Sequence, residues 1–217
     1  MTGEHEVDPN DFFTTTTALH EGAVVGDDRS LRLDPIIRVG AAPRREYRGA
    51  TMPTTNENLA TAFAGESQAN RKYLAFARAA DKEGLPQIAR LFRAAADAET
   101  LHAMAHFTNM GGVGTTAQNL ASAVEGETYE FTEMYPPMVE QAKAEGHKAK
   151  TMLAFAAAAE QVHAKLFAEA LAAIQAGKDL DQLTVYLCPV CGDIEIGTLP
   201  DKCPICGAPA SKYQTVG

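Results

Sequence analysis

Two Glu-x-x-His quartets and two Cys-x-x-Cys knuckles are the residues of this chain best placed to do chemistry. The quartets are Glu99-Thr100-Leu101-His102 and Glu160-Gln161-Val162-His163. A carboxylate and an imidazole three residues apart on a helix project to one side and can grip one metal ion. One such pair means little, because most are solvated. Here each falls on an apolar stripe: Phe92, Ala95, Ala96, Ala103 and His106 share the face of Glu99, and Leu153, Ala156, Ala157, Ala164 and Phe167 share that of Glu160. Ionised groups that face a core are costly unless paired or metal-bound. Two matching copies predict a dinuclear metal site.

Other acids lie on the same kind of stripe. Glu66 is the lone acid among Leu59, Ala62, Phe63, Ala69, Asn70, Tyr73 and Ala77. Glu127 and Glu130 share a face with Leu120, Ala123, Val124, Phe131 and Met134. Buried carboxylates one turn apart repel strongly unless a cation sits between them.

Four helices must position these groups. The first opens on the capping box Thr54/Glu57 and ends near Gly84, and Pro86 opens the second, which runs to about Met110. Gly111, Gly112 and Gly114 break the chain before Thr115 or Thr116 caps the third. Pro136 and Pro137 predict a kink after Tyr135, with the third helix ending at Gly146 and the fourth running from about His147 to Ala176. Single Glu residues from two helices and Glu-x-x-His from the other two is the ligand set of ferritin-like di-iron bundles, and Glu130 is the one excess acid. The two helical halves form a degenerate repeat.

All four cysteines lie near the C-terminus, as Cys188-Pro189-Val190-Cys191-Gly192 and Cys203-Pro204-Ile205-Cys206-Gly207, after a predicted strand Val185-Tyr186-Leu187. Paired knuckles at this separation signal a tetrahedral four-thiolate site for zinc or iron. The Cys-Pro-x-Cys-Gly form of both favours iron.

Composition narrows the classes. Hydrophobic content of 46% supports a core, and a net charge of -9 argues against nucleic acid and anionic membrane as partners. No apolar run reaches the ~18 residues of a membrane span. The N-terminus lacks a signal-peptide core, and the cysteines do not suit a secreted disulfide scaffold, so a cytoplasmic location is expected. Residues 1–51 show no sustained periodicity and read as an N-terminal extension, with a translation start at Met52 as an alternative. The expected architecture is mainly α: a ferritin-like four-helix bundle over 52–178, then a small domain with a four-cysteine metal site over 183–217.

Ala64-Gly65-Glu66-Ser67-Gln68, Gly126-Glu127-x-x-Glu130, Met134-Tyr135-Pro136 and the two Glu-x-x-His pairs closely resemble rubrerythrins, and the Cys tail resembles their rubredoxin-like domain. The resemblance spans roughly 52–217, with a connection between helices two and three that is short for the family. It implies that Glu99 and Glu160 bridge two irons, that Glu66 serves one, and that Glu127 with His163 serves the other. Glu130 and His102 would be alternative ligands of the first iron. Fe(III) is harder and favours an anionic oxygen, whereas imidazole suits Fe(II). Tyr73 and Tyr135 match the family's tyrosines that hydrogen-bond ligand carboxylates. Cys188, Cys191, Cys203 and Cys206 would hold one iron, with zinc the alternative.

The resemblance implies a non-haem di-iron peroxidase that reduces hydrogen peroxide to water in oxidative-stress defence. Electrons would come from an external reductase or rubredoxin through the iron on the four cysteines. A homo-oligomer is implied, a dimer or higher, with one chain's Cys domain near the other's di-iron site. The competing readings are a ferritin-like ferroxidase and an electron-transfer or zinc-stabilised module. A Cys domain in place of a short fifth helix weighs against the first, and retention of all seven bundle ligands weighs against the second.

Overall fold

Thr54 accepts a hydrogen bond from the Glu57 backbone while Glu57 reaches back to the Thr54 N–H, and this reciprocal cap opens the first helix. The computed structural model describes residues 53–217, so the expectations for the N-terminal extension lie outside the described residues. Helix α1 spans Thr55–Lys82 and α2 spans Pro86–Asn109. The turn between them uses Gly84 at φ 74°, a left-handed conformation that glycine adopts without penalty.

Alanine lets the two helices approach closely. Ala89, Ala96 and Ala103 recur every seven residues of α2 and are buried, as are Ala77 and Ala80 of α1. The Asn70 amide donates to the Ala96 carbonyl at 2.7 Å and to the Thr100 hydroxyl at 2.8 Å, next to Glu99 in the chain. Phe63 stacks on Phe107 with ring centroids 4.9 Å apart. A two-pronged Arg93–Asp81 pair at 2.8 and 3.1 Å ties the other end.

The second half opens on another capping box, Thr115 with Gln118. Helix α3 covers Thr116–Tyr129, a π-helical turn covers Glu130–Met134, and α4 covers Tyr135–Ala144. Sequence reading expects a proline kink just after Tyr135; the structure spreads the distortion over the preceding turn. Pro136 and Pro137 bring no N–H, and their rings crowd the carbonyls four residues back. The turn widens instead, and the Tyr135 N–H reaches the carbonyl of Glu130. Helix α5 spans Lys150–Gln175, starting slightly later than its sequence suggests, and packs against α3 and α4.

A small antiparallel sheet of order β2-β1-β3 follows. Strand β1 (Val185–Leu187) pairs with β2 (Ile194–Ile196), Val185 opposite Ile196, and with β3 (Gln214–Val216), Val185 opposite Val216. Cys188, Cys191 and Cys203 are its buried core, with Phe155 of α5, Ile205 and Tyr213 against them. No helix among the described residues is long and apolar enough to cross a membrane.

Candidate metal centres

Each helical hairpin gathers one ligand set. On α1 and α2 the donor atoms of Glu66, Glu99 and His102 lie within 4.8 Å of one another, and on α3 and α5 those of Glu127, Glu160 and His163 do the same. His102 Nδ1 is 3.2 Å from Glu99, and His163 Nδ1 is 2.7 Å from Glu160 and 3.9 Å from Glu127. Each set holds two carboxylates and one imidazole, the donor chemistry that suits iron.

Proton energetics reflect crowded acids. Glu66 is raised, chiefly because it shares a proton with Glu99, and Glu99 is lowered by Glu66 and then by His102. Burial first, then Glu160, pushes Glu127 up to about 7. Glu130 is raised by burial and by the Glu160 charge, so it borders the α3–α5 set. Tyr135 is raised by burial and then by Glu160, Glu130 and Glu127, which keeps its phenol protonated among those carboxylates. Tyr73 packs with Phe76 and Phe92, centroids 6.3 and 6.2 Å away. Among the described residues, neither Tyr73 nor Tyr135 hydrogen-bonds a carboxylate. His106 touches the first set only through its charge on Glu66.

The tautomer of His163 suits a metal ligand. Its Nε2 lies 2.8 Å from the Gly192 carbonyl, an acceptor only, so Nε2 carries a proton. The coordinating lone pair is then on Nδ1, aimed at Glu160 and Glu127. Ligating histidines are oriented in this way by a carbonyl on their other nitrogen.

The four cysteine sulfurs also lie within 4.8 Å of one another, with Cys188–Cys206 at 3.7 Å and Cys191–Cys203 at 3.4 Å. A tetrahedron with metal–sulfur bonds of about 2.3 Å has edges of about 3.8 Å. These spacings fit one shared metal and are far beyond a disulfide of about 2.05 Å. Burial pushes the Cys191 thiol up. At Cys203 burial is outweighed by hydrogen bonds from Tyr213 and from the Cys206 and Ile205 backbone, so that thiol is lowered.

Three residues around this site escape sequence reasoning in the roles they take. Gly192 sits at φ 90°, and a Cβ there would lie 3.8 Å from Ala159 of α5, which brings its carbonyl to His163. Asp193 is 1% exposed; its Oδ2 accepts from the Tyr213 hydroxyl at 2.6 Å and contacts Cys203 Sγ at 3.5 Å, while Oδ1 has no partner. Gly192 was visible as part of its knuckle, but nothing in the spacing of Asp193 or Tyr213 singles them out. The resemblance implies a Cys domain set near another chain's di-iron site; the contact seen here joins Gly192 to His163 of the same chain.

Helices bearing Glu and Glu-x-x-His sets, followed by a four-thiolate knuckle, define a ferritin-like di-iron protein with a rubredoxin-like tail. The chain belongs to the rubrerythrin family. The rubrerythrin family model matches residues 57–171, and the rubrerythrin rubredoxin-like domain matches residues 186–214. Rubrerythrin-2 of Clostridium acetobutylicum is 37% identical over 175 residues, 74% of this chain and 95% of that relative. Nigerythrin of Nitratidesulfovibrio vulgaris is 39% identical over 175 residues, 74% of this chain and 85% of that one. The solved structure of fully reduced, all-ferrous nigerythrin is 35% identical, with a TM-score of 0.46 over 79% of this chain and 91% of that one. The cofactors are accordingly a non-haem di-iron pair and one mononuclear iron on the four cysteines.

Proposed function

We propose that this oxidoreductase is a non-haem di-iron peroxidase that reduces hydrogen peroxide to water in oxidative-stress defence, drawing electrons from an external reductase or rubredoxin through the iron on the four cysteines. The observation that carries this reading is His163, which reaches into the α3–α5 ligand set through Nδ1 and touches the Cys191–Gly192 knuckle through Nε2–H. A ferroxidase takes electrons out of Fe(II) and has no use for such an entry route. A peroxidase must be re-reduced after every turnover.

Bound in the ferrous state, an iron pair here would supply the two electrons that cleavage of the O–O bond requires. In this reading Glu99 and Glu160 would be shared by both irons, Glu66 would hold one, and Glu127 with His163 would hold the other. Glu130 and His102 would be the alternative ligands of the first iron, the carboxylate favoured when that site is oxidised. Two protons are consumed per peroxide. Glu130 and the protonated Tyr135 phenol stand beside Glu160 to donate and relay them. Tyr73 orders the apolar edge of the first set.

The test is rapid mixing of the reduced protein with peroxide and, separately, with dioxygen. Peroxide should oxidise it much faster. If dioxygen reacts as fast and iron mineral accumulates, the ferroxidase reading takes its place.

A further inference from the structure

The two ligand sets are halves, and one chain does not bring them together. No Cα of α1 or α2 lies within 8 Å of a Cα in α3, α4 or α5. Packed helices lie ~8–10 Å apart axis to axis, with their facing Cα atoms closer still. Glu99 and Glu160 therefore cannot bridge one metal pair within this chain as it is folded.

The linker gives the reason. A ferritin-like bundle contains one long crossover. Here the connection from α2 to α3 is only the six residues Met110 to Thr115. Running α3 parallel to α2 would need a return of about 36 Å for the 24-residue α2. Fully extended, this linker reaches at most about 25 Å. It is not extended either. Gly111 sits at φ 74° with the Gly112 N–H on the Phe107 carbonyl at 2.9 Å, closing the end of α2, while Gly114 donates to Asn119 at 2.8 Å and Thr115 caps α3. A connection this short normally makes its helices antiparallel neighbours. These do not touch.

The helices are correspondingly uncovered. Among the described residues they bury alanines and Val139, and no Leu, Ile, Met or Phe. Leu91 and His102 stand on the same side of α2, 67% and 57% exposed, and Phe76 of α1 is 47% exposed. A metal ligand and its apolar neighbours are left facing water.

We propose that two copies of the chain exchange hairpins, α1–α2 of one closing on α3–α5 of the other, so that each dinuclear centre takes Glu66, Glu99 and His102 from one copy and Glu127, Glu130, Glu160 and His163 from its partner. The exchange is reciprocal and closed, and it builds two identical centres per dimer. It accounts for ligand sets on two hairpins that do not touch within one chain, and for a linker too short to cross over. Each Cys domain, docked on its own His163, then feeds a centre whose other half belongs to the second chain. The inference rests on the di-iron reading for its metal count but not for its chain arrangement.

The test separates the two. The metal-free full chain is sized by light scattering, and twice the chain mass is expected; a single-chain mass overturns the exchange. A variant carrying Glu66→Ala and Glu99→Ala is then co-expressed with one carrying Glu127→Ala and Glu160→Ala, and the mixed dimer is isolated through two different tags. Native mass spectrometry counts its irons. Exchange places both intact halves in one centre, so the mixed dimer should hold one iron pair where wild type holds two. A mixed dimer without a pair, beside a fully loaded wild type, overturns the proposal. If wild type holds no pair, the di-iron reading fails, and the metal-free cross-link decides the exchange. Leu91→p-benzoylphenylalanine, in dimers of light and heavy-isotope chains, should link α2 to α3 or α5 of the other isotope. Links confined to one isotope overturn it.

Discussion

His163 Nε2 stands 2.8 Å from the Gly192 carbonyl while Nδ1 stands 2.7 Å from Glu160, so one imidazole touches both metal-binding regions. Gly192 follows Cys191 directly. The path from cysteine sulfur to the carboxylate cluster is therefore a short backbone segment, one hydrogen bond and one ring. Replacing His163 with Gln should leave the visible band of the cysteine-bound iron intact. Its reoxidation by the dinuclear centre should slow by at least roughly 10-fold, because both a ligand and the hydrogen bond are altered. Stopped-flow bleaching and recovery of that band checks this. An unchanged recovery rate at full iron loading would remove His163 from the electron path.

Cys191→Ser should abolish the visible band and reductase-driven turnover. Three of the four cysteines form the buried core of the sheet region, so that region should lose its order with its metal. The helices share no ligand with it and should keep their circular dichroism and iron pair. Collapse of helical signal in this variant would show that the two parts do not fold independently.

Asp193 is a carboxylate buried beside Cys203 with one oxygen unpartnered. Nearby negative charge favours the ferric over the ferrous form of a thiolate site. Asp193→Asn keeps the shape and removes the charge, so the reduction potential of the cysteine-bound iron should rise, and electron transfer onward to the helices should slow. Redox titration of the visible band gives the answer. A potential that stays put or falls would show that the Asp193 carboxylate does not tune this iron.

The ligand types and helix order were legible because metal sites use few residue types at short, helix-compatible spacings. Glu99/His102, Glu160/His163 and the cysteine knuckles declare themselves that way. The π turn at Glu130–Met134 was not legible, since the prolines mark a distortion but not which turn absorbs it. Strands β2 and β3 are three residues each, too short for any period to register. The shortness of the α2–α3 connection was visible; what it does to the two hairpins depends on through-space packing that no local pattern encodes.

Iron binding should be coupled to pH through Glu127, whose carboxyl burial and Glu160 push from an ordinary 4.5 up to about 7. A raised folded-state value means that the protonated form stabilises the metal-free fold. That contribution is complete below pH 4.5 and lost as pH rises through 7. Metal-free protein should therefore become less stable across this window. Iron must displace the same proton, so affinity should fall by about 10-fold per pH unit below 7 and level off above it. Ferrous titrations on both sides of neutrality measure this, and equal affinities would show that Glu127 carries no proton to displace.

The acids of the α3–α5 hairpin should separate by role when removed one at a time. Glu160 touches His163 and raises Glu127 and Glu130, so it stands at the centre of its set. Glu160→Ala would remove one of the two proposed bridges and should cost the iron pair altogether, leaving at most one weakly held ion. Glu130 lies at the border of the same set, and His102 remains to serve the reduced site without it. Glu130→Ala should therefore bind two ferrous ions nearly as well as wild type. Its deficit should appear after oxidation, when the added positive charge has lost its compensating carboxylate, and turnover with peroxide should slow by roughly 10–100-fold. Glu130→Gln tests the cause, since it keeps the shape without the charge and should be nearly as slow. Ferrous titration followed by single-turnover oxidation separates binding from chemistry in each variant. Loss of ferrous binding in Glu130→Ala would make Glu130 a permanent ligand and remove the exchange with His102.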